Sequence, residues 1–314
     1  MILTRKDVLG LEDMSAEEIL GVLDIAGQFR AVFDRPVRSV PIMRGRTVVN
    51  FFHEPSTRTR ISFELAEKRL SADIINFSSA TSSFTKGETL RDTAENLAAM
   101  KIDMLVVRHS SAGAAAYLAK VLKCSVINAG DGAHEHPTQG LLDIMTMRQR
   151  LGDLRGRKVT IIGDITHSRV ARSNIWGLTK LGAEVTLCGP PTMIPGGLDK
   201  LGATIEYDLK KAVAKADVVN VLRIQLERHS SKSFPGNREY NRMYGITEDI
   251  VRLMKPEAFI MHPGPMNRDV EIASDVADGP RQVILDQVAN GVAVRMALIY
   301  LLSGGDPGAL GGSA

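Results

Sequence analysis

Aromatic side chains are scarce in this 314-residue chain, at 5%, and tryptophan occurs once. Surfaces that stack nucleic-acid bases interleave aromatics with basic residues, so no nucleic-acid partner is expected. Cysteine occurs twice, at Cys124 and Cys188, with no CxxC or Cys/His ligand spacing. That argues against a disulfide framework and a structural zinc site, and suits a reducing compartment. Charge of one sign is also missing: the net charge is +3, so any anion site must be local. The longest apolar run, AVRMALIYLL at 293–302, contains Arg295 and is too short to span a bilayer. The opening MILTRKDVLGLEDM has no apolar core of the kind a secretory signal uses. No membrane association and a cytoplasmic location are therefore expected.

What is present reads as a globular α/β protein. The apolar fraction of 44% and the length suffice for two ordinary domains. Ser15 and Glu18 form a capping box ahead of Ile19, Val22, Leu23 and Ala26, which share one helical face. Apolar runs at 47–52, 73–77, 103–107 and 125–129 read as strands, with helices opening near Ser56, Thr89, Ser111 and Pro137. A basic break at 148–158 precedes a second series of strands at 159–164, 184–189, 203–207, 216–222 and 258–265. The expected fold is α/β with two doubly wound domains, each a mainly parallel sheet flanked by helices. The domains are placed at 1–150 and 151–286, with a helix near 287–305 packing back on the first. A flexible Gly-rich tail, 303–314, ends the chain.

Ligands of open α/β sheets collect at the carboxyl ends of strands. The unusual polar residues lie at those ends: Ser56–Arg60, Arg108 with His109 and Ser110, and His136 with Thr138 and Gln139. In the second series they are Arg169, Arg223 and His262–Pro265. Their expected meeting place is the crevice between the domains. Ser56 can be an ordinary helix cap with Arg60 solvated, or the hinge can seat a phosphate on free N–H groups, hydroxyls and Arg58. His136 can simply precede a helix started by Pro137, or donate to a carbonyl oxygen beside Gln139. A metal on His134-x-His136 finds no further ligand at useful spacing. GDITHSRV lacks the GxGxxG of a dinucleotide turn.

STRTR (56–60), HPTQ (136–139) and HPGPMNRDVEI (262–272), in that order, resemble the aspartate/ornithine carbamoyltransferase family. The resemblance runs from about residue 1 to 305. No HCLP segment or SMG-type loop of the ornithine members occurs, whereas SSFTKGETLRDT (82–93) looks like the mobile loop of the aspartate members. Two arginines, Arg169 and Arg223, also suit the two carboxylates of aspartate and would repel ornithine's ammonium.

The resemblance implies transfer of the carbamoyl group of carbamoyl phosphate to L-aspartate, a step of de novo pyrimidine biosynthesis, with no cofactor and no metal. Ser56, Thr57, Arg58, Thr59 and Arg108 match the phosphate-binding set, and His136 the histidine that polarises the carbonyl. Gln139 and the backbone around Pro263, Gly264 and Pro265 match the ligands of the carbamoyl NH2. Lys86 matches a loop lysine that enters a neighbouring subunit's site, accompanied by Ser82, or by Ser83 if one gap is allowed. Arg169, Arg223 and Gln225 match the aspartate-binding set, which Lys86 also joins. Thr59, Lys86, Arg108, His136 and Arg58 are the implied catalytic groups. A homotrimer is implied, with an associated dihydroorotase or regulatory chain left open. The alternatives are a carbamoyltransferase for another amino acid such as ornithine, and an inactive scaffold; a scaffold would have lost some of these charged residues.

Overall fold

A computed structural model describes residues 2–78, 89–224 and 236–306. The chain divides into two compact units, Met1–Leu142 with Ala289–Ala314, and Asp143–Val288.

The first unit opens with α1 (Ala16–Val32), started by the expected capping box: Glu18 N–H donates to Ser15 Oγ at 3.2 Å and Ser15 N–H to Glu18 Oε2 at 2.9 Å. There follow β1 (Thr47–Phe52), α2 (Thr57–Arg69), β2 (Asp73–Ser78), α3 (Leu90–Ala99), β3 (Met104–His109), α4 (Ala114–Val121), β4 (Ser125–Asp131) and α5 (Pro137–Leu151), which passes into the second unit after Leu142. The sheet is parallel in the order β2-β1-β3-β4. Val49, Phe51, Leu105, Val107 and Val126 carry its core against Leu118 and Ala94. β1, β3 and β4 are largely buried and so read as apolar runs, which is why composition located them, whereas the edge strand β2 leaves Ile75 exposed.

Helix α4 starts later than Ser111 suggested. The chain first makes a turn in which Ser111 N–H donates to His109 Nδ1 (2.9 Å) and Gly113 N–H to Asp131 Oδ2 (2.7 Å). Gly113 caps the helix at φ +82°, a conformation glycine adopts without steric cost.

The second unit contains β5 (Lys158–Ile162), α6 (Arg169–Lys180), β6 (Glu184–Cys188), β7 (Ala203–Ile205), α7 (Leu209–Lys215), β8 (Val218–Val221), α8 (Asn237–Tyr244), α9 (Glu248–Val251), β9 (Phe259–Met261) and α10 (Ser274–Ala277). Its sheet is parallel in the order β7-β6-β5-β8-β9. Ile162, Val219, Val221, Ile260 and Tyr240 are in its core. The last helix, α11 (Ile284–Leu302), begins three residues before the expected 287, because Gln282 Oε1 accepts the Ile284 N–H at 2.8 Å.

Each sheet has one place where the crossovers leave in opposite directions. In the first it lies between β1 and β3, in the second between β5 and β8. Loops part there, leaving a hollow at the strands' carboxyl ends.

Among the described residues α11 is long and apolar enough to cross a membrane by length and composition, but most of it is buried inside the protein. It carries Arg295, 3% exposed, whose guanidinium lies 4.9 Å from the Phe63 ring centroid of α2. Burial lowers the Arg295 pKa to about 9.

Candidate active site

In the first unit the chain leaves β1 at Phe52 and re-enters a helix at Thr57. Ser56 sits at the N-cap with extended backbone (φ −160°, ψ 98°), but its side chain makes no capping hydrogen bond among the described residues. Of the two alternatives, Ser56 thus occupies the cap position without the side-chain bond of an ordinary cap. The first turn of α2 holds no acidic residue and instead carries Arg58 and Arg60. Basic side chains at a helix N-terminus oppose the macrodipole, while an anion there is favoured by both. Arg60 is turned along the helix to Glu64 at 3.3 Å, and Arg58 is exposed.

β3 pairs with β1 so that Arg108 stands beside Phe52, at the switch point. The Arg108 guanidinium donates to the Ala129 carbonyl and to Glu54 Oε1, both at 3.3 Å. Its backbone carbonyl accepts the His53 N–H at 2.9 Å. The rings of His53 and His109 stack 4.3 Å apart beside this pair. Burial and the neighbouring His53 lower the pKa of His109. Glu54 and His53 were not singled out from the sequence. A carboxylate one residue before Pro55-Ser56 was the available signal.

At the end of β4, Asp131 organises the loop to α5. It accepts from Asn128 Nδ2 (2.8 Å), Gly113 N–H and Glu135 N–H, and meets His134 Nδ1 at 3.2 Å. Burial alone would raise this carboxyl, but the hydrogen bonds from His134, Asn128 and Gly113 hold it below its usual range. The hydrogen bond to Asp131 correspondingly raises His134. His136 ends that loop, 4% exposed, and its carbonyl accepts the N–H groups of Gln139 and Gly140 at 2.9 and 3.1 Å. Thr138 Oγ1 lies 3.4 Å from His136 Nδ1.

The metal question takes a form that sequence spacing did not show. His134 groups with Glu12 and Glu135, ligand atoms within 4.8 Å of one another, rather than with His136. Both Glu135 oxygens already accept backbone N–H groups, from Leu11 (2.8 Å) and Glu12 (3.0 Å). Glu135 thus holds the amino-terminal segment, whereas His134 is turned to Asp131.

In the second unit the switch point carries Arg169 and Arg223. Arg169 is the first residue of α6, 5% exposed, behind Ser168, whose Oγ accepts the Ala171 N–H at 3.1 Å. Asp164, which follows β5, binds the His167 ring at 2.9 Å. Arg223 lies two residues beyond β8 and is partly buried.

After β9 comes the turn His262–Pro265. Gly264 is at φ +60° and the Gly264–Pro265 peptide is cis. His262 Nδ1 accepts the Gly264 N–H at 2.8 Å, which puts the ring proton on Nε2, 3.2 Å from Glu271 Oε1. Glu271 also accepts from the Asn267 N–H, and Asn267 Nδ2 reaches the carbonyl of Ile224 at 3.2 Å. Ser82, Ser83, Lys86 and Gln225 lie outside the described residues, as do 307–314 of the tail.

Residues 6–149 match the model of the aspartate/ornithine carbamoyltransferase carbamoyl-P binding domain, and 155–302 that of the Asp/Orn binding domain. The aspartate carbamoyltransferase catalytic subunit of Syntrophotalea carbinolica is 60% identical over 306 residues, 98% of each chain. Ornithine carbamoyltransferase from Pyrococcus furiosus superposes with a TM-score of 0.85 at 30% identity, over 96% of this chain and 97% of its own. Aspartate transcarbamoylase from Trypanosoma cruzi, in complex with carbamoyl phosphate and aspartate, gives 0.84 at 29% identity over 93% and 95%. The two specificities share one backbone, so fold alone does not separate them, whereas the far higher sequence identity lies with an aspartate enzyme. With both domain models matched in order along nearly its whole length, the chain belongs to the aspartate/ornithine carbamoyltransferase family.

Proposed function

We propose that the protein is a carbamoyltransferase that moves the carbamoyl group of carbamoyl phosphate to the amine of L-aspartate, giving N-carbamoyl-L-aspartate and phosphate. The observation that carries the site assignment is the start of α2: a helix N-terminus with no side-chain cap bond from Ser56 among the described residues and with Arg58 in its first turn, beside Arg108 at the β1/β3 switch point. The aspartate specificity is supported by relatives such as the 60% identical catalytic subunit.

In this reading Ser56, Thr57, Arg58 and Thr59 take the phosphate, with Arg108 as a further ligand that also reaches the carbamoyl oxygen. Gln139 and the carbonyls of the 263–264 segment hold the carbamoyl NH2, and Arg169 and Arg223 hold the two carboxylates of aspartate, with Gln225. The phosphate of carbamoyl phosphate thus belongs to residues 1–150 with the C-terminal helix, and aspartate to 151–286, whose 263–264 carbonyls also reach the carbamoyl NH2. The amine nitrogen attacks the carbamoyl carbon and negative charge builds on its oxygen, where Thr59, Arg108 and His136 donate. The C–O bond to phosphate then breaks, and the departing phosphate, stabilised by Arg58, takes the amine proton. Holding the two substrates in line supplies a large part of the acceleration. Lys86 and Ser82 are assigned to a neighbouring subunit's site in a cytoplasmic homotrimer. Mixing Lys86→Ala with Arg58→Ala subunits checks that assignment, since a shared site regains activity in the mixed oligomer.

The decisive assay offers carbamoyl phosphate with L-aspartate or with L-ornithine and measures the ureido product. Product with aspartate alone is expected. Product with ornithine alone would keep the phosphate seat and overturn the roles of Arg169 and Arg223.

A further inference from the structure

A buried polar chain runs through the second unit from α6 to the His262–Pro265 turn. Asn174 in α6 donates from its side-chain amide to Asp143 Oδ2 at 2.8 Å. Asp143 Oδ1 accepts from Gln287 Nε2, also at 2.8 Å. Gln287 Oε1 in turn accepts the backbone N–H of His262 at 2.9 Å. Asp143, Asn174, Gln287 and His262 are each at most 2% exposed. Polar groups at that depth persist because they are paired, and a paired network fixes geometry more tightly than apolar packing.

The chain has a direction. An ionised Asp143 can only accept, so Gln287 must present its NH2 to it, which leaves Oε1 for the His262 N–H. A flipped amide would set oxygen against oxygen and N–H against N–H. Asp143 therefore orients Gln287, and Gln287 fixes the first residue of the turn. The His262 ring then fixes Gly264 through its N–H at 2.8 Å, so the turn is held at two points before Pro265.

We propose that Gln287 is a positioning residue for the carbamoyl group. Oriented by Asp143, it holds the His262–Pro265 turn so that the carbonyls of Pro263 and Gly264 meet the carbamoyl NH2. This rests on the reading of that turn given above. Inorganic phosphate has no NH2, so a fault in the turn weakens use of carbamoyl phosphate and leaves phosphate binding intact. General damage to the protein weakens both.

The test uses the full chain, with rates at varied carbamoyl phosphate and saturating L-aspartate, and with the affinity for inorganic phosphate measured by calorimetry. For Gln287→Leu, kcat/KM for carbamoyl phosphate is expected to fall by roughly 10- to 100-fold, the worth of one or two buried hydrogen bonds. Phosphate affinity is expected to change less than about twofold, because it gains nothing from the turn. An unchanged kcat/KM, or an equal loss for phosphate, overturns the proposal.

A polarity swap keeps the question open to decision if the leucine variant does not fold. Gln287→Glu alone sets two carboxylates against each other and should be as impaired as Gln287→Leu. Adding Asp143→Asn supplies an N–H opposite the new carboxylate, which still accepts the His262 N–H. The double variant should recover at least about tenfold in kcat/KM over Gln287→Glu. Absence of recovery, or wild-type rates in Gln287→Glu, overturns the orienting role. A wild-type protein that yields no ureido product fails at the earlier step, and removes the reading of the turn itself.

Discussion

After β1, helix α2 begins behind a Ser56 that makes no capping bond, with Arg58 and Arg60 in its first turn. After β5, at the matching place in the second unit, α6 begins behind a Ser168 whose hydroxyl accepts the Ala171 N–H at 3.1 Å. Both helices start at the switch point of a parallel sheet and both bring an arginine to it. The first start spends no cap side chain on its backbone N–H groups, and in the proposed reading these and the side chain of Arg58 meet an incoming anion together. The second has one of those donors satisfied already, and places its charge in the side chain of Arg169. A phosphate, with its several oxygens, suits the open end. A carboxylate is well served by a guanidinium fork.

Breaking the first site should have the largest effect. Arg58→Ala is expected to lower kcat by about 10²–10³, the usual cost of removing a donor to charge that develops in the transition state. The KM for aspartate should move much less, and steady-state kinetics with both substrates varied separates the two. Breaking the second site should reverse the pattern. Arg223→Ala is expected to raise the KM for aspartate by roughly 10- to 100-fold, from the loss of a charge-assisted hydrogen bond, with the KM for carbamoyl phosphate little changed.

The two helices also differ in how a buried acid ties them down. In α6, Asn174 donates to Asp143, which Gln287 also serves as a donor. In α2, Glu67 is fully buried and accepts from Asn50 Nδ2 at 2.7 Å, while Glu67 Oε1 and Asn50 Oδ1 have no partner among the described residues. Burial, with a smaller contribution from the charge of Glu64, pushes the Glu67 carboxyl up to about 8. A proton there gives the pair the donor it lacks. The folded state holds that proton more tightly than the unfolded state does, so the stabilisation is full below about pH 4.5. It is lost as pH rises toward 8, by about 1.4 kcal/mol per pH unit for this group. Urea unfolding between pH 5 and 8 should show the decline, and Glu67→Gln should remove that part of it.

The smallest effect sharpens the comparison most directly. Ser168→Ala removes a cap and should cost about 1 kcal/mol of stability in thermal unfolding. Ser56→Ala removes none, so the unliganded protein should melt within about 0.5 kcal/mol of wild type. Its inorganic phosphate affinity should fall.

The strands were legible because buried parallel strands are runs of apolar residues, and β1 occupies the stretch 47–52 that its composition marked. The candidate residues were legible for a related reason: Arg108 stands at the carboxyl end of a strand, and Arg169, Arg223 and His136 each follow one, where an α/β sheet exposes its loops. The exact helix starts were harder to read. The turn ahead of α4 depends on Asp131, distant in sequence from Gly113, and the start of α11 on a side chain just before it. Nor do the links Asn50–Glu67, Asp143–Gln287 and Glu54–Arg108 leave a periodic trace. Each joins residues that only the tertiary fold makes neighbours.

The first unit closes with residues from the far end of the chain, Ala289 onward, after the whole of the second unit has been written into it. On the ribosome this imposes an order in time. Residues 143–288 must be synthesised before the first unit's last residues exist, a delay on the order of ten seconds at ordinary elongation rates. The emerging first unit must wait, incomplete, while the inserted residues 143–288 are made.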